Sequence, residues 1–333
     1  MPLPKSPPHM SIRSPKAQLA VLYEHPQWFQ PLFAALERRG MPYDPIQLSG
    51  HRFDPASTEM PAPLVLSRVA QSSFLRESEH PIFYAEALLD HWARLGARVL
   101  NGADVFALEL SKSAQATLLR TLDIDCPYSI TFNDVAALRG YASDMRWPAL
   151  LKPDQGGSGA RIQVVDSLEQ VDAIFAADPG VWLPDNLFLL QEYLPHDPDR
   201  GIVRLEFLGG DLLYAMRVVT HGRFNLCPSP VCNPDEGAGS CELPLHQGAI
   251  EPPPVEFYPF SEVPRDAVDT ARQIVRAAKL DVGGIEYLET ENGRRVFYDI
   301  NANSNLRPSV AAAFGFDPFE RVVDFLERQL VRG

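Results

Sequence analysis

The sequence predicts a mixed fold, in which an N-terminal parallel α/β lobe is followed by two α+β lobes. Segments typical of strands and helices alternate over residues 17–105, which predicts a parallel sheet covered by helices. Two extended segments flank a glycine-rich loop at residues 154–159. An Asn-Gly pair at residues 292–293 separates two β-rich segments, and such a pair is the strongest short signal for a hairpin.

Composition and charge exclude several classes of protein. The chain has 333 residues, of which 45% are hydrophobic and 22% charged, and this indicates a globular protein with more than one core. Its formal net charge of −13 argues against broad binding to nucleic acid or an anionic membrane, since both require a basic face. No apolar segment approaches the roughly 20 residues that span a bilayer.

The first 16 residues are rich in proline and lack the apolar stretch of a secretory signal. We therefore expect residues 1–16 to form a disordered tail, and we expect a cytoplasmic protein. Four cysteines in a chain of this length agree with a reducing compartment and do not indicate a disulfide framework.

The first lobe is predicted over residues 17–105 as two strand–helix–strand units. The sequence AQLAVLY predicts a strand, and the helix after it ends at Gly40, before the extended segment PYDPIQL. The second unit consists of the strand PLVLSRV, the helix IFYAEALLDHWARL up to Gly96, and the strand ARVLNG.

The central lobe is predicted over residues 106–190. It begins with an amphipathic helix at residues 111–122, and the strands PALLKP and ARIQVV flank its glycine-rich loop. Ser167 and Gln170 have the spacing of a capping box, which predicts the start of a helix.

The third lobe is predicted over residues 191–333, after the apolar strand FLLQEYL. A hairpin that turns at Gly209-Gly210 precedes a cysteine- and proline-rich segment, residues 221–262, with little regular pattern. The helix PRDAVDTARQIVRAAKL and the Asn-Gly hairpin follow this segment.

The Asn-Gly hairpin predicts a paired carboxylate site. A two-residue turn at Asn292-Gly293 would place Glu286 directly opposite Asp299, with Asn301 on the same face. Two carboxylates in such a pair lie about 5 Å apart and repel each other, so a divalent cation is expected between them. Oxygen ligands suit Mg²⁺, and the alternative is a solvated acidic face.

The same register predicts which side chains accompany the carboxylates. Leu288 would pair with Phe297 on the carboxylate face, which indicates a partly covered cleft. The opposite face would be the core face, with Ile285, Tyr287, Val296, Tyr298 and Ile300.

Lysines and glycines in the central lobe indicate an anion site. Lys152 ends an apolar strand, and the Gly-Gly-Ser-Gly loop after it would let backbone N–H groups approach phosphates. The loop is not a Walker A motif, because it lacks Gly-Lys-Ser/Thr and a strand follows it. Lys112 opens its helix, where a cation gains nothing from the helix dipole. Taken singly, a plain hairpin loop and a solvated lysine are the alternatives.

The order of these features resembles the ATP-grasp superfamily, and within it the RimK-type glutamate ligases and the glutathione synthetases. The likeness covers about residues 106–310, and the lobe before it resembles the superfamily's N-terminal pre-ATP-grasp domain. The spacing of Glu286, Asp299 and Asn301 matches the magnesium-ligand pattern, which is the most specific element. The resemblance implies that a nucleotide binds between the two ATP-grasp lobes.

The resemblance implies a role for each matching residue. Lys112 and Lys152 would hold the α- and β-phosphates, and the glycine loop would cover them as a lid. Arg204 resembles an arginine that neutralises the transferring phosphoryl group, while Arg217 and Arg307 could serve that charge or a substrate carboxylate. The implied nucleotide contacts are Lys112, Lys152, Gly156, Gly157, Ser158, Gly159, Gln191, Glu192, Tyr193 and Leu194.

The implied activity is that of an ATP-dependent carboxylate–amine ligase acting through an acylphosphate, with ATP and two Mg²⁺ ions as cofactors. Mn²⁺ could substitute for Mg²⁺, and the substrates would be an amino acid, a peptide or a small acid together with an amine. The alternatives are an ATP-grasp phosphotransferase acting on a hydroxyl, or a non-catalytic nucleotide-binding protein. No nucleic-acid or membrane partner is expected, and a homo-oligomer is an open alternative.

The sequence departs from the superfamily at the ribose and substrate ends of the expected site. Asp197 and Asp199 both follow the hinge, and either could be the ribose-binding acid. The segment ANSNLRPS after Asn301 lacks the Pro-Gly turn common in relatives.

Two further groups have open interpretations. Arg68 follows a predicted strand of the first lobe, so it could contact substrate or form a surface salt bridge. A set of cysteines and histidines has no compact zinc spacing, and a loop with free thiols is favoured over a metal site: His221, Cys227, Cys232, Cys241 and His246.

Overall fold

The structure is a computed structural model. It describes residues 17–25, 27–75, 81–157, 159, 161–183, 185–222 and 255–332. The expected disordered tail, Ser158 of the glycine loop, and the segment with Cys227, Cys232, Cys241 and His246 lie outside the described residues. No helix in the described part of the chain is long and apolar enough to cross a membrane.

The first lobe contains a four-stranded, fully parallel sheet in the order β2-β1-β3-β4. Its strands β1 to β4 are Leu19–Tyr23, Tyr43–Gln47, Leu64–Arg68 and Arg98–Leu100, and its helices α1 to α3 are Gln30–Arg38, Pro81–Arg94 and Ala103–Leu110. Successive β1 side chains point to opposite faces. Leu19 and Val21 pack with α1, while Ala20 and Leu22 pack with α2. The parallel sheet covered by helices is confirmed.

The central lobe contains a four-stranded antiparallel sheet in the order β5-β8-β6-β7. Its strands β5 to β8 are Ser129–Phe132, Ala149–Pro153, Gln163–Val165 and Phe188–Glu192, and the helices α4 to α6 are Lys112–Thr121, Val135–Leu138 and Leu168–Ala177. The predicted N-cap is confirmed, because Ser167 Oγ accepts from Gln170 N at 3.3 Å. The return bond of the predicted capping box is displaced by one residue, since Gln170 Oε1 accepts from Asp166 N at 2.8 Å and not from Ser167 N.

The third lobe contains a five-stranded antiparallel sheet in the order β11-β10-β9-β12-β13. Its strands β9 to β13 are Ile202–Leu208, Asp211–Val219, Glu256–Pro259, Val282–Glu289 and Arg295–Asn301, and the helices α7 to α9 are Arg265–Ala277, Pro308–Ala312 and Pro318–Arg332. The predicted turn between β9 and β10 is confirmed, with Gly209 and Gly210 both at positive φ. Strand β11 is a correction, because its residues were expected to be irregular; it pairs with the edge of β10.

The Asn-Gly hairpin has the predicted register at the carboxylates and a different register near the turn. Glu286 pairs with Asp299, whereas Leu288 pairs with Val296 and not with Phe297. The connection has three residues instead of two, because Thr290 N donates to Arg294 O at 2.9 Å. A β-bulge between this region and the carboxylates restores the predicted register.

The bulge corrects the predicted assignment of faces. Phe297 packs with Tyr287 in the buried core, although the sequence placed it on the carboxylate face. Tyr298 was expected on the core face, but its hydroxyl donates to Glu286 Oε2 at 2.9 Å. Both exchanges follow from the extra residue in β13, since a shift of one residue turns side chains to the other face.

One hydrophobic core joins the first and third lobes. Leu32 and Leu36 of α1 share a buried cluster with Val323 and Leu326 of α9 and with side chains of β10. The central sheet has a separate cluster, formed by residues between 132 and 190. Helix α4 packs outside that cluster, since Leu119 lies in the core beneath β12 and β13.

Candidate functional site

A cavity of about 370 Å³ lies between the central and third lobes. It combines the lysines, the glycine loop, the segment after β8 and the carboxylate hairpin, which are separated in sequence by up to about 190 residues (112 to 299). The predicted site residues that line it are Lys112, Lys152, Gly156, Gly157, Gly159, Gln191, Glu192, Tyr193, Leu194, Glu286 and Asp299. Leu288, which the sequence placed on the carboxylate face, also lines it, and unpredicted lining residues include Gln71, His196 and Tyr298.

The three predicted metal ligands lie together on adjacent strands. Asn301 Nδ2 donates to Glu286 Oε1 at 3.3 Å and to Asp299 Oδ2 at 3.1 Å. The Lys112 ammonium forms a close ion pair with Asp299 Oδ1. The three side chains therefore form one cluster that offers two carboxylates and an amide.

Glu286 and Asp299 are two carboxylates that share one buried site. Burial and the neighbouring Asp299 carboxylate raise the pKa of Glu286. Burial alone would raise the pKa of Asp299 as well, but the Lys112 ammonium holds it below its ordinary value. The two pKa values thus shift in opposite directions, mainly because Glu286 is raised by burial while Lys112 lowers Asp299. A divalent cation would relieve the repulsion between the two carboxylates.

Lys112 is held in place by a contact that the sequence did not reveal. Gln115, one turn further along α4, is buried and bonds to both backbone groups of Ile300. Its Nε2 donates to Ile300 O at 3.1 Å, and its Oε1 accepts from Ile300 N at 3.0 Å. These two hydrogen bonds fix α4 against β13. Lys112 therefore reaches Asp299, the residue before Ile300.

Lys152 is a buried cation on β6, with a relative exposure of 7%. Burial lowers its pKa to about 8, and the nearby Lys112 ammonium acts in the same direction. Asp299 and Asp154 oppose this effect. Two neighbouring ammonium groups at one cavity form a natural site for an anion such as phosphate.

Arg204 crosses the sheet between two carboxylates. Its Nε donates to Glu206 Oε1 at 2.8 Å on its own strand, and its Nη1 donates to Glu286 Oε1 at 3.0 Å on β12. The side chain lies over Gly284, where an added Cβ would come within 2.7 Å of Arg204 Nε. The absence of a side chain at Gly284 therefore lets Arg204 reach Glu286.

The glycine loop packs against the first lobe. A Cβ added to Gly157 would lie 2.7 Å from Ser72 Cβ, so only glycine fits at this distance. With its amide nitrogen facing two carbonyls, Gln71 donates to Gly156 O at 2.8 Å and to Glu109 O at 2.6 Å. The short 3₁₀ helix Gln71–Leu75 thus holds the loop from the side of the first lobe.

The segment after β8 forms one wall of the cavity. Gln191 is buried, and its Nε2 donates to Ser129 Oγ at 2.8 Å on the neighbouring strand. Tyr193 and Leu194 follow and line the cavity, as predicted for a hinge around a base. Of the two aspartates suggested for ribose, Asp197 accepts from Asp199 N at 2.9 Å within its own loop. Among the described residues, His196 and Pro198 line the cavity here, and the two aspartates do not.

The other predicted arginines lie in different surroundings. Arg307 is not among the described residues that line the cavity, and its guanidinium stacks on Phe257 at 3.9 Å. Arg217 donates to Glu289 Oε2 at 3.2 Å and stacks on Phe260. Arg204 and Arg217 are not among those lining residues either, but Arg204 bonds to Glu286, which is, and it is therefore the stronger candidate for a catalytic role.

Arg68 does not form the expected surface salt bridge. It is only 4% exposed, and its Nη2 donates to the backbone oxygen of Ser304. No carboxylate in the described part of the chain forms an ion pair with it. Its partner is more than 230 residues away in sequence (68 to 304), so no local pattern could have identified this contact.

In the described part of the chain, no group of three or more His, Cys, Asp or Glu side chains could hold a metal ion. The candidate site has two carboxylates and relies on an amide for its third ligand. His221, the described member of the cysteine–histidine set, contacts Glu256 at 3.2 Å.

Comparisons with solved structures identify the fold. No family model matches the chain, and no curated protein matches it. The chain is similar to a RimK-domain ATP-grasp protein from Sphaerobacter thermophilus, with 18% identity, a TM-score of 0.66, and coverage of 93% of this chain and 99% of that one. It is similar to the ATP-grasp ligase PsnB, solved with a minimal precursor, with 17% identity, a TM-score of 0.63, and coverage of 94% and 99%.

A third similar structure is the D-alanine–D-alanine ligase from Bacillus anthracis, solved with ATP. Its identity is 13% and its TM-score is 0.67, with coverage of 96% of this chain and 98% of that one. At these identities the likeness establishes the fold. The chain has the ATP-grasp fold, as the order of motifs in its sequence indicated.

Proposed function

We propose that this protein with the ATP-grasp fold is an ATP-dependent carboxylate–amine ligase. The observation that supports it most strongly is the meeting of Glu286 and Asp299 with Lys112 and Lys152 at one cavity, where Asn301 bonds to both carboxylates. Such a combination of oxygen ligands and cations suits a nucleotide with its divalent ions. The ligases among its structural neighbours agree with the proposal.

In this proposal the nucleotide occupies the cavity between the central and third lobes. Its base lies against Tyr193 and Leu194, and its phosphates reach Lys112 and Lys152. The described glycines of the loop, Gly156, Gly157 and Gly159, would cover the phosphates as a lid. Backbone N–H groups of glycines can approach phosphate oxygens without steric hindrance.

The hairpin residues fit a magnesium site. Glu286 and Asp299 would provide carboxylate oxygens, and Asn301 would provide its amide oxygen after its side chain turns. A divalent ion held by these residues would neutralise phosphate charge. We include two ions in the proposal, as the resemblance to the ATP-grasp superfamily implies.

The residues of the chain position the reactants and neutralise charge during the reaction. A substrate carboxylate oxygen attacks the γ-phosphorus of ATP, the bond from that phosphorus to the β–γ bridging oxygen breaks, and ADP leaves. The amine nitrogen then attacks the carbonyl carbon of the acylphosphate, loses a proton, and displaces phosphate. Arg204, which bonds to Glu206 and to Glu286 in the wall of the cavity, would neutralise the transferring phosphoryl group.

Water must be kept from the acylphosphate, and the glycine loop with Gln71 and Ser72 would provide this protection. An enzyme of this kind would work in the cytoplasm, where ATP is available. The substrates belong to the class of amino acids, peptides or small acids with an amine partner.

The experiment that tests the proposal is a screen for ADP release over pairs of carboxylates and amines, with hydroxylamine as a trapping nucleophile. We expect a hydroxamate from the productive carboxylate, because only an activated acyl group reacts with hydroxylamine. ADP release with a phosphorylated alcohol and no hydroxamate would contradict the ligase assignment and indicate a phosphotransferase.

Variants connect the activity to the proposed site. Asp299→Ala and Asn301→Ala should abolish ADP release while circular dichroism shows an intact fold. Glu289→Gln is a matched control, because Glu289 also lies on the hairpin but bonds to Arg200 and Arg217 outside the cavity. Full activity in both site variants would contradict the magnesium assignment.

A further inference from the structure

Gln115 is a buried amide that connects three elements around the carboxylate hairpin. It lies on α4 with a relative exposure of 1%. Its Nε2 donates to the backbone oxygens of Leu108 and Glu109 in the last turn of α3, at 3.1 and 3.3 Å, and to Ile300 O on β13 at 3.1 Å. Its Oε1 accepts from Ile300 N at 3.0 Å. One side chain therefore joins α3, α4 and β13.

Ile300 is the residue between two of the metal-ligand candidates. Since side chains alternate along a strand, Asp299 and Asn301 project from one face of β13, and Ile300 projects from the other into the buried core. Strand β13 is an edge strand of its sheet, so its outer backbone groups have no neighbouring strand to bond with. The Gln115 amide takes the place of that strand at Ile300, where it both donates and accepts. It thereby fixes the backbone from which both ligand side chains project.

The geometry of a divalent-ion site makes the position of this backbone important. Mg²⁺ requires near-ideal octahedral geometry, so a displaced ligand binds it less well. Without Gln115, the buried N–H and C=O groups of Ile300 would lose their partner, and such groups are rarely left unpaired. Strand β13 would then shift toward other partners, and Asp299 and Asn301 would move with it. Replacing a residue that holds metal ligands in this way typically lowers metal affinity by about 10–100-fold.

The same amide also adjoins the lysine that faces the hairpin. Lys112 lies one turn before Gln115 on the same side of α4, and its ammonium pairs with Asp299 and lies 3.5 Å from Gln115 Oε1. The first turn of α4 is tied to the central lobe as well, because Ser113 N donates to Asp154 Oδ1 at 2.7 Å. Gln115 therefore fixes the metal-ligand strand relative to the helix whose lysine reaches the phosphates in the proposed function.

We propose that Gln115 is a positioning residue that sets the affinity of the carboxylate hairpin for a divalent ion. It acts through the backbone of Ile300, and it is not among the described residues that line the cavity. The inference rests on the proposed nucleotide and metal site, and it adds the residue that determines how much Mg²⁺ this site requires. The alternative is that Gln115 only stabilises the fold by pairing with buried backbone groups.

The test compares the Mg²⁺ requirement of nucleotide binding in the wild type and in Gln115→Met. Methionine has a similar length and removes all hydrogen bonds of the amide. Calorimetric titration of the whole protein with a non-hydrolysable ATP analogue, repeated over a series of Mg²⁺ concentrations, gives the concentration at which nucleotide binding is half maximal. We expect this concentration to rise about 10–100-fold in Gln115→Met, and saturating Mg²⁺ to restore the nucleotide affinity of the wild type. A residue that only stabilises the fold would lower the melting temperature without changing the Mg²⁺ requirement.

Gln273→Met is a matched control. Gln273 also donates from its side-chain amide to a backbone oxygen, that of Leu122 at 3.4 Å, but it is exposed and meets α4 at the opposite end of the helix. The Mg²⁺ requirement of this variant should equal that of the wild type. Gln115→Asn is a second site variant, because its amide is one methylene too short to keep both bonds to Ile300, and it should show the same rise as Gln115→Met.

A measurement on the wild type does not depend on the folding of any variant. Without ligand, the amide proton of Ile300 should exchange slowly with solvent, because Gln115 Oε1 accepts it in a buried position. NMR spectra of protein labelled with ¹⁵N-isoleucine follow this exchange, and Ile300→Val identifies the signal.

The possible results separate this inference from the proposed function. An unchanged Mg²⁺ requirement in folded Gln115→Met, a loss of nucleotide binding that no Mg²⁺ concentration restores, or rapid exchange of the Ile300 amide would each overturn the inference. Mg²⁺-dependent nucleotide binding to the wild type alongside any of these results would leave the proposed site standing. A wild type whose nucleotide binding does not depend on Mg²⁺ would contradict the proposed site and this inference together.

Discussion

At the scale of single residues, Gly284 shows how a missing side chain positions a functional one. Arg204 lies across this glycine to reach Glu286, and a Cβ there would come within 2.7 Å of Arg204 Nε. We predict that Gly284→Ala displaces the guanidinium and slows ADP release on the order of 100-fold, the cost of a small misplacement of a catalytic group. The KM for ATP should change little.

The control for this prediction is Gly140→Ala, because no atom lies within 4 Å of a Cβ at that position. Steady-state kinetics of both variants provide the measurement. Wild-type rates in Gly284→Ala would show that Arg204 does not require the open path across β12.

Glu109 is a buried carboxyl whose ionisation should affect stability. Burial raises its pKa to about 7, although its Oε1 accepts from Asn303 N at 3.0 Å. A carboxyl with a raised pKa in the folded state costs nothing below its unfolded pKa, and its cost grows as pH rises from that value to about 7, above which it stays constant. In Glu109→Gln, the free energy of unfolding relative to the wild type should rise by up to about 3 kcal/mol between pH 4.5 and pH 8.

Urea denaturation of both proteins at the two pH values measures this difference. The glutamine keeps an acceptor for Asn303 N, so the comparison isolates the charge. A difference that does not change with pH would show that Glu109 is not held neutral by burial.

At the scale of elements, the carboxylate hairpin shows what a sequence pattern can and cannot predict. The Asn-Gly signal predicted the pairing of Glu286 with Asp299, although the connection has three residues and β13 contains a bulge. The longer connection and the bulge shift the register in opposite directions, so Glu286 and Asp299 pair as predicted. The register differs from the prediction only between these two residues and the turn. The exchange of Phe297 and Tyr298 could not be predicted, because a bulge depends on packing against the rest of the sheet.

The contact between the glycine loop and the 3₁₀ helix of the first lobe leads to a prediction about two adjacent glycines. Gly157→Ala should destabilise the protein by about 1–3 kcal/mol, because the added methyl overlaps Ser72 in a closely packed contact. Gly156→Ala is a matched variant of the same loop, since its nearest neighbours lie at 3.7 Å, an ordinary contact.

Melting temperatures of the two variants without ligand measure this effect. The double variant Gly157→Ala/Ser72→Gly should recover most of the loss, because it removes the side chain that the new methyl meets. Equal melting temperatures for the two single variants would contradict the close contact between the loop and the first lobe.

At the scale of the whole molecule, the first and third lobes form one unit and the central sheet forms another. Helix α1 packs on α9 within a shared core, whereas the central sheet has its own cluster. The sequence predicted the sheets, but it could not predict this joint core, because α1 and α9 lie at opposite ends of the chain.

The joint core predicts unequal effects for two substitutions in α1. Leu36→Ala should reduce the free energy of unfolding by about 2–5 kcal/mol, since Leu36 is fully buried against α9. Arg39→Ala removes ion pairs to Asp324 and Glu327 that lie at the surface, and its effect should be far smaller. Denaturation followed by fluorescence compares them, and equal losses would contradict a shared core.

The contacts of Arg68 and Gln115 are the part of the site that depends most on the whole fold. Each residue bonds to backbone groups of the third lobe, at Ser304 and Ile300 respectively. The sequence indicated the ligand types on the hairpin because their spacing follows from strand geometry. It gave no sign of these two contacts, because they form only when distant segments meet.

In the proposed function, the cavity between the central and third lobes binds a nucleotide through divalent ions held by the hairpin. Calorimetric titration with a non-hydrolysable ATP analogue, with Mg²⁺ and with EDTA, tests it most directly. We predict one binding site that requires Mg²⁺ and is lost in Asp299→Ala but retained in Glu289→Gln. Equal binding with EDTA, or no binding to the wild type, would contradict the claim.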